Sequence, residues 1–204
     1  MIKPYTEKDS RIKFIPSPEK TNTGPGPTRN RGIDEAKGDY LAFLDADDFW
    51  HPEKLERQLA FVKKKGCEFC FTGYEFANEE GKLSGKKVYV PEKYTYDEVL
   101  HRTIIWTATV MFDMHKLTKE DIYMPDARAE DTACWLQVLK KIDYAYGLNE
   151  ILAYYRRSKG TYSSNKLLAC KKIWSVYRDT EKLSLPKSIS CFTAYAINAV
   201  KRRI

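Results

Sequence analysis

The chain has 204 residues, 43% hydrophobic and 31% charged, with 35 Lys and Arg against 28 Asp and Glu and a net charge of +7. That is the length of one ordinary domain with a core of its own, and 14 Tyr, 9 Phe and 4 Trp exclude a disordered chain. No apolar run approaches the roughly 18 residues a membrane-spanning helix needs, and the opening Met-Ile-Lys-Pro-Tyr lacks the apolar centre of a signal peptide, so a soluble cytoplasmic chain is expected.

Arg11-Ile12-Lys13-Phe14-Ile15 alternates in polarity and reads as a short strand ended by Pro16 and Pro18. Residues 16–27 carry four prolines and two glycines and read as a loop. Thr28 to Lys37 reads as a helix, with Pro27 at its start and Gly38 past its end. Tyr40-Leu41-Ala42-Phe43-Leu44 is a continuous apolar run, the pattern of a strand covered on both faces. It leads straight into Asp45-Ala46-Asp47-Asp48. Pro52 opens a second helix, with Leu55, Leu59 and Val62 at helical spacing.

Gly66 ends that helix, and Cys67 to Tyr74 reads as a strand. Residues 78–93 form a hairpin or loop, Tyr96 to Arg102 a short helix, and Thr107 to Asp113 another strand. Asp131 to Ile142 is an amphipathic helix with Leu136, Leu139 and Ile142 facing inward. Arg156–Lys166 is polar, and helices over Lys166–Lys182 and Lys187–Lys201 finish the chain. Alternating helices and strands predict an α/β fold with a mostly parallel sheet. The expected division is a domain over 1–165 and a helical segment over 166–204.

Five cysteines, odd in number and scattered, make a poor disulfide framework. Cys67 and Cys70 match C-x-x-C, but on a strand they would point to opposite faces and could not share a metal, so buried structural thiols are expected. His51, His101 and His115 lack ligand spacing and read as surface residues. Basic residues are dispersed apart from Lys63–Lys65 and Lys201–Arg203, and no nucleic-acid-reading motif accompanies them.

Three groups carry chemistry. Asp45, Asp47 and Asp48 follow a buried strand, where open α/β sheets bind ligands. Crowded carboxylates there suit a hard divalent ion bridged to phosphate, or else a solvated turn in which Asp48 caps the next helix. Arg29-Asn30-Arg31-Gly32 places guanidinium groups near a helix start, suited to phosphate, or else simply exposed. Glu130-Asp131 at a helix mouth sets mutual repulsion against the helix dipole, as a base of tuned pKa requires, or else caps that helix.

Taken together, Thr28-Arg29-Asn30-Arg31-Gly32-Ile33, Ala36-Lys37-Gly38-Asp39-Tyr40, Phe43-Leu44-Asp45-Ala46-Asp47-Asp48 and Pro52-Glu53-Lys54-Leu55 resemble the family-2 glycosyltransferases of the GT-A fold. Thr107-Ala108-Thr109-Val110-Met111, Glu130-Asp131, Tyr155-Arg156 and Ser163-Ser164-Asn165-Lys166 are similar to the same family. The resemblance implies a metal-dependent inverting transferase. It would move a sugar from a nucleotide-sugar, by default a UDP-sugar, to a saccharide or lipid-linked acceptor in envelope polysaccharide or glycolipid synthesis.

It further implies that Asp47 ligates Mn²⁺ or Mg²⁺, and that Asp45 approaches the ribose or the metal. Arg29 would help hold the nucleotide, Arg156 would close over the diphosphate, and Asp131 would be the general base, with Asp48 and Glu130 behind them. The fold implied is a truncated, Rossmann-like GT-A sheet flanked by helices. The chain starts at what reads as the family's third strand, so the amino-terminal nucleotide-binding strands are expected to be missing.

Two other readings stand beside this one. A truncated transferase fold acting only as an interaction module would fit the missing segment. A haloacid-dehalogenase-like phosphatase also follows a strand with D-x-D, but has Thr or Val where this chain has Phe49. In the last helix Ile189, Phe192, Tyr195, Ala196, Ala199 and Val200 recur at helical steps between basic residues. That face either packs on the domain or lies peripherally on the inner membrane surface.

Overall fold

The computed structural model describes residues 3–17, 23–157 and 166–201. In chain order the elements are α1 (Lys3–Lys8), α2 (Pro25–Glu35), β1 (Tyr40–Ala42), β2 (Phe49–Trp50), α3 (Lys54–Lys65), β3 (Phe69–Ala77), β4 (Leu83–Val88) and β5 (Lys93–Tyr94). There follow α4 (Tyr96–His101), β6 (Met111–Asp113), α5 (Lys119–Ile122), α6 (Glu130–Leu139), β7 (Ala145–Arg156), α7 (Lys166–Ser175) and α8 (Leu185–Lys201). The Ser163-Ser164-Asn165 motif and Arg202-Arg203 lie outside the described residues.

The sheet runs β1-β6-β3-β7-β2, with β4 added to β3 and β5 to β7. The α/β class holds, but the mostly parallel sheet is corrected to a mixed one, in which among the described residues only β3 and β7 pair in parallel. Both β1 and β3 pair antiparallel with β6. β1, β3 and β7 therefore run the same way, but β6, within the strand expected over Thr107–Asp113, is inserted between β1 and β3 in the opposite sense. Phe69, Phe112 and Trp135 pack ring on ring between this sheet and α6, and Ile173, Val176, Tyr177, Cys191 and Tyr195 of the last helices join the same core.

Several local expectations change. Residues 12–17 belong to no helix or strand, and Ile12, Phe14 and Ile15 are exposed, so Arg11–Ile15 is not a strand among the described residues. A strand exists only through a partner's hydrogen bonds, and periodicity alone does not supply one. The helix predicted from Thr28 begins at Pro25, since prolines in a first turn lose no intrahelical bond. The strand predicted over Thr107–Asp113 is halved: Thr109 bonds back to the Trp106 carbonyl through both its N–H and its hydroxyl, coiling 107–109 into a 3₁₀ turn.

The cysteine strand starts at Phe69 rather than Cys67, because Gly66 caps α3 at φ 60° and leaves Cys67 in the turn. The opposite-face argument fails with it. Cys67 and Cys70 are buried in one cluster; the neighbouring Cys70 thiol pulls the Cys67 pKa down, while burial pushes that of Cys70 up. All five cysteines are free, and Cys170 is partly exposed.

The long strand β7 was not legible, because Gly147 and Asn149 break its pattern and its pairing with β3 carries register shifts. Gly147 is required by proximity: a Cβ there would lie 2.0 Å from the Pro91 carbonyl oxygen. Gly147→Ala should lower stability by about 3 kcal/mol, read as an earlier urea midpoint. An unchanged midpoint would mean that the segment before β5 moves aside freely.

The inward face of α3 is corrected as well. Leu55 is exposed, while Lys54, Gln58 and Val62 are buried. The polar pair is buried because it is bonded: Lys54 Nζ donates to Gln58 Oε1 (2.7 Å) and lies 4.2 Å from the Trp50 ring centroid. Gln58 Nε2 donates to the Thr109 carbonyl (2.8 Å), and Trp50 Nε1 to that of Ala108 (2.7 Å).

Burial pushes the Lys54 pKa down to about 7 from 10.5. Between those values the unfolded chain holds the proton that the folded one releases, so stability rises with pH across that window. Lys54→Met should flatten this rise, measured by urea melts at pH 7 and pH 9. Equal slopes in both proteins would show that the Trp50 face keeps the ammonium charged.

Candidate active site

The acidic loop carries the chain from β1 at one edge of the sheet to β2 at the other. Phe43 anchors its start, buried edge-to-face on Phe112, and the Asp48 N–H closes a turn on the Asp45 carbonyl at 3.1 Å. Within this turn the three carboxylates part company. Asp45 faces α2, Asp47 is exposed, and Asp48 is buried.

Asp45 meets Arg29. The guanidinium donates from one nitrogen to both Asp45 oxygens, at 2.8 and 3.0 Å, and from the other to Glu130 Oε1 at 2.8 Å. Arg29 is in the second turn of α2 rather than at the helix start, and its side chain is only 13% exposed. Burial works against its charge. Asp45, Glu130 and Asp131 outweigh that and hold its pKa above the ordinary value. Asn30 beside it pins α2 in place, donating to the Met124 carbonyl (2.9 Å) and accepting from the Met124 N–H (2.8 Å). Arg31 stays near the surface and reaches only Thr28.

Glu130 and Asp131 do not cap α6; the N-cap is Ala129, with no side-chain cap bond. Instead Glu130 turns to Arg29. Its pKa is raised by burial first and by Asp131 next, with Arg29 opposing both. Asp131 Oδ1 accepts the Thr132 N–H (2.6 Å). The Asp131 side chain lines a crevice of about 230 Å³ shared with Arg128, Lys172, Ile173 and Tyr195. A carboxylate at the mouth of an open crevice can accept a proton from a bound hydroxyl.

Asp48 does not cap α3. It accepts the backbone N–H of Arg156 at 3.0 Å, tying the acidic loop to the end of β7. Burial pushes its pKa up to about 7, the Arg156 N–H pulls it down, and Asp47 and Asp45 push it further up. Arg156 Nε is buried without a partner among the described residues, and its Cζ lies 5.4 Å from the Phe49 ring centroid. Such an orphaned donor suits a ligand oxygen.

Arg29, Asp45, Glu130 and Asp131 are thus brought together, Asp48 and Arg156 form a second group, and Asp47 projects alone from the loop between them. Among the described residues no three Asp, Glu, His or Cys side chains converge on a metal position. Asp47, exposed and unbonded among those residues, still fits a hard ion held by one or two carboxylates and completed by a ligand's phosphate oxygens. His51 accepts the Glu53 N–H, His101 packs on Cys191, and His115 lies beside Asp39.

Sequence reading missed the parts of Lys54, Gln58 and Asn30; Lys54 and Asn30 sit inside the recognised motifs, whereas Gln58 lies outside them, one helical turn after Lys54. It missed Arg128 entirely. That residue lines a cavity of about 960 Å³ between α2, the 124–128 segment and α7, as well as the crevice at Asp131.

A family model, Glycosyl transferase family 2, matches residues 1–122. TuaG of Bacillus subtilis, assigned by its name to teichuronic acid biosynthesis, is 43% identical over the whole chain and 80% of its own length. WfgD of Escherichia coli, a UDP-Glc:α-D-GlcNAc-diphosphoundecaprenol β-1,3-glucosyltransferase, is 34% identical over 84% of the chain and 66% of its own length. Among solved structures, mannosyltransferase PcManGT from Pyrobaculum calidifontis, in complex with GDP-Man and Mn²⁺, superposes with a TM-score of 0.62 at 12% identity. That superposition covers 95% of the chain and 54% of PcManGT, so the chain spans about half of that structure. No helix among the described residues is long and apolar enough to cross a membrane.

Proposed function

The chain belongs to glycosyl transferase family 2, and from that premise we propose that it moves a sugar from a UDP-sugar to an acceptor hydroxyl with inversion, in surface-polysaccharide or glycolipid synthesis. The observation that carries this reading is the meeting of Asp45 and Glu130 on Arg29 at the carboxyl end of β1, with Asp131 next to Glu130 and lining the open crevice beside them. The UDP-Glc donor and diphosphoundecaprenol acceptor in WfgD's name support the substrate classes.

Asp131 takes the proton of the acceptor hydroxyl as its oxygen bonds to the anomeric carbon. The bond from that carbon to the donor's diphosphate breaks in the same step, and the electron pair leaves with the nucleotide. Arg29 holds Asp45 and Glu130 in place and balances the charge around Asp131. Arg156 offers its unpartnered Nε to the diphosphate. A divalent ion, Mn²⁺ or Mg²⁺, held by Asp47 would neutralise the leaving diphosphate, a role supported by the Mn²⁺ present in PcManGT.

In this reading residues 1–165 form the transferase domain. The segment 166–204 closes its acceptor side, and the protein works at the cytoplasmic face of the membrane. Peripheral contact would come through α8: Cys191 and Tyr195 pack inward on the domain, while Leu185, Ile189 and Ile197 face solvent.

Calorimetry tests the reading. UDP-glucose should bind the chain in the presence of Mn²⁺, and Asp47→Ala should weaken Mn²⁺ binding at least tenfold, because few protein oxygens remain to hold a hard ion. Unchanged Mn²⁺ affinity would remove Asp47 from the metal site, and no UDP-sugar binding by the unaltered chain would remove the donor.

A further inference from the structure

Beyond the crevice at Asp131 lies a second cavity of about 500 Å³, between α7, α8 and Arg128. Its floor is aromatic, with the rings of Trp174 and Phe192 packed edge-to-face at 5.5 Å. Its rim is basic, with Arg128, Lys171 and Arg178 on it and Asp179 the one acidic residue. Arg178 is engaged by the Leu183 carbonyl. Arg128 and Lys171 are exposed and have no hydrogen bond or ion pair among the described residues. Arg128 lines both spaces, so a ligand lying along it can have one end at Asp131 and the other on the aromatic floor. The apolar surface continues outward on α8 through the exposed Leu185 and Ile189.

We propose that this cleft is the acceptor site, built for a sugar joined through a diphosphate to an aliphatic chain. The inference rests on the transferase reading above and specifies its acceptor. Unpaired guanidinium and ammonium groups complement a diphosphate. The Trp174 and Phe192 rings cover the first units of the chain, and the sugar then reaches the Asp131 crevice. A free phosphate would need the cations but not the aromatic floor, and a neutral saccharide could stack on the rings but would leave the cations without a partner.

The probe is farnesyl diphosphate, titrated into the full chain by calorimetry, with inorganic pyrophosphate and farnesol as controls and UDP-glucose with Mn²⁺ as the donor reference. Farnesyl diphosphate should bind at least tenfold tighter than pyrophosphate or farnesol. The exposed-residue double variant Arg128→Ala/Lys171→Ala should weaken it at least tenfold, and Trp174→Leu should weaken it while leaving pyrophosphate unchanged. Both variants should bind UDP-glucose as the unaltered chain does, which also certifies their fold.

Equal binding of farnesyl diphosphate and pyrophosphate would overturn the proposal in favour of a simple anion site. So would unchanged farnesyl diphosphate affinity in the double variant. Binding of phosphatidylglycerol vesicles without any diphosphate probe, lost in the same variants, would overturn it in favour of a membrane-docking face. If UDP-glucose binds and farnesyl diphosphate does not, the acceptor site falls and the transferase reading stands. If neither binds, both fall.

Discussion

Asp131→Asn should leave UDP-glucose affinity unchanged while the transfer rate falls by roughly 10²–10⁴, the usual worth of a general base. The substitution keeps shape and position. An amide oxygen can still accept the Thr132 N–H that Asp131 Oδ1 holds at 2.6 Å, and α6 does not depend on this side chain for a cap. What is lost is the capacity to take a proton. Steady-state kinetics with varied donor separates the outcomes: a fall in kcat with the donor KM preserved places Asp131 in the chemical step. An equal loss of donor binding would make it a structural partner of Arg29, and unchanged kcat would move the base elsewhere.

Arg29→Met should cost about 3 kcal/mol of stability at neutral pH, because breaking a buried pair leaves its carboxylates uncompensated. Glu130 carries more of this cost than Asp45, which is about a third exposed and partly solvated. The pH dependence gives the sharper test. The Glu130 pKa is already raised, by burial and then by Asp131, and Arg29 is the opposing influence, so its removal raises that pKa further. A carboxylic acid whose folded pKa exceeds its unfolded one is penalised above the folded value, and the penalty shrinks as pH falls through it. The deficit of the variant should therefore be larger at pH 7.5 than at pH 5. Adding Glu130→Gln should recover part of it, read as a coupling energy in a double-mutant cycle. A deficit independent of pH, with no coupling to Glu130, would mean that Arg29 acts by packing alone.

The acidic loop shows where sequence and structure each carry the argument. That Asp45, Asp47 and Asp48 follow a strand was legible from the apolar run before them. The strand is shorter and less covered than that run implies: β1 stops at Ala42 at the edge of the sheet, only Leu41 of its three residues is buried, and Leu44 is exposed. The carboxylates' division of labour was not legible. Asp48 is the buried one because the N–H of Arg156, more than a hundred residues later, points at it, and no local pattern encodes that partner. Arg29 was legible as a motif residue. Its reach to Glu130 depends on α2 being held against the 124–128 segment through Asn30.

Helices were the most legible elements, since capping signals and the 3.6-residue period are local: Gly66 ends α3, and Thr95 with Glu98 forms the capping box of α4. Strands were the least. Arg11–Ile15 alternates but pairs with no strand among the described residues, whereas β7 breaks its alternation at Gly147 and Asn149 yet pairs with β2, β3 and β5.

By itself the sequence determined the α/β class, the order of most helices, and the motifs that identify the family, because these rest on residue type and spacing. Only the tertiary structure decided that β6 enters the sheet antiparallel, that Lys54 and Gln58 rather than Leu55 face inward, and that Arg29 draws together carboxylates from two elements. It also decided that Arg128 joins the Asp131 crevice to an aromatic cavity on α7 and α8. Each depends on a hydrogen bond or contact between residues far apart in the chain, and the energy of such a contact is set by what lies opposite in space rather than by what lies adjacent in sequence.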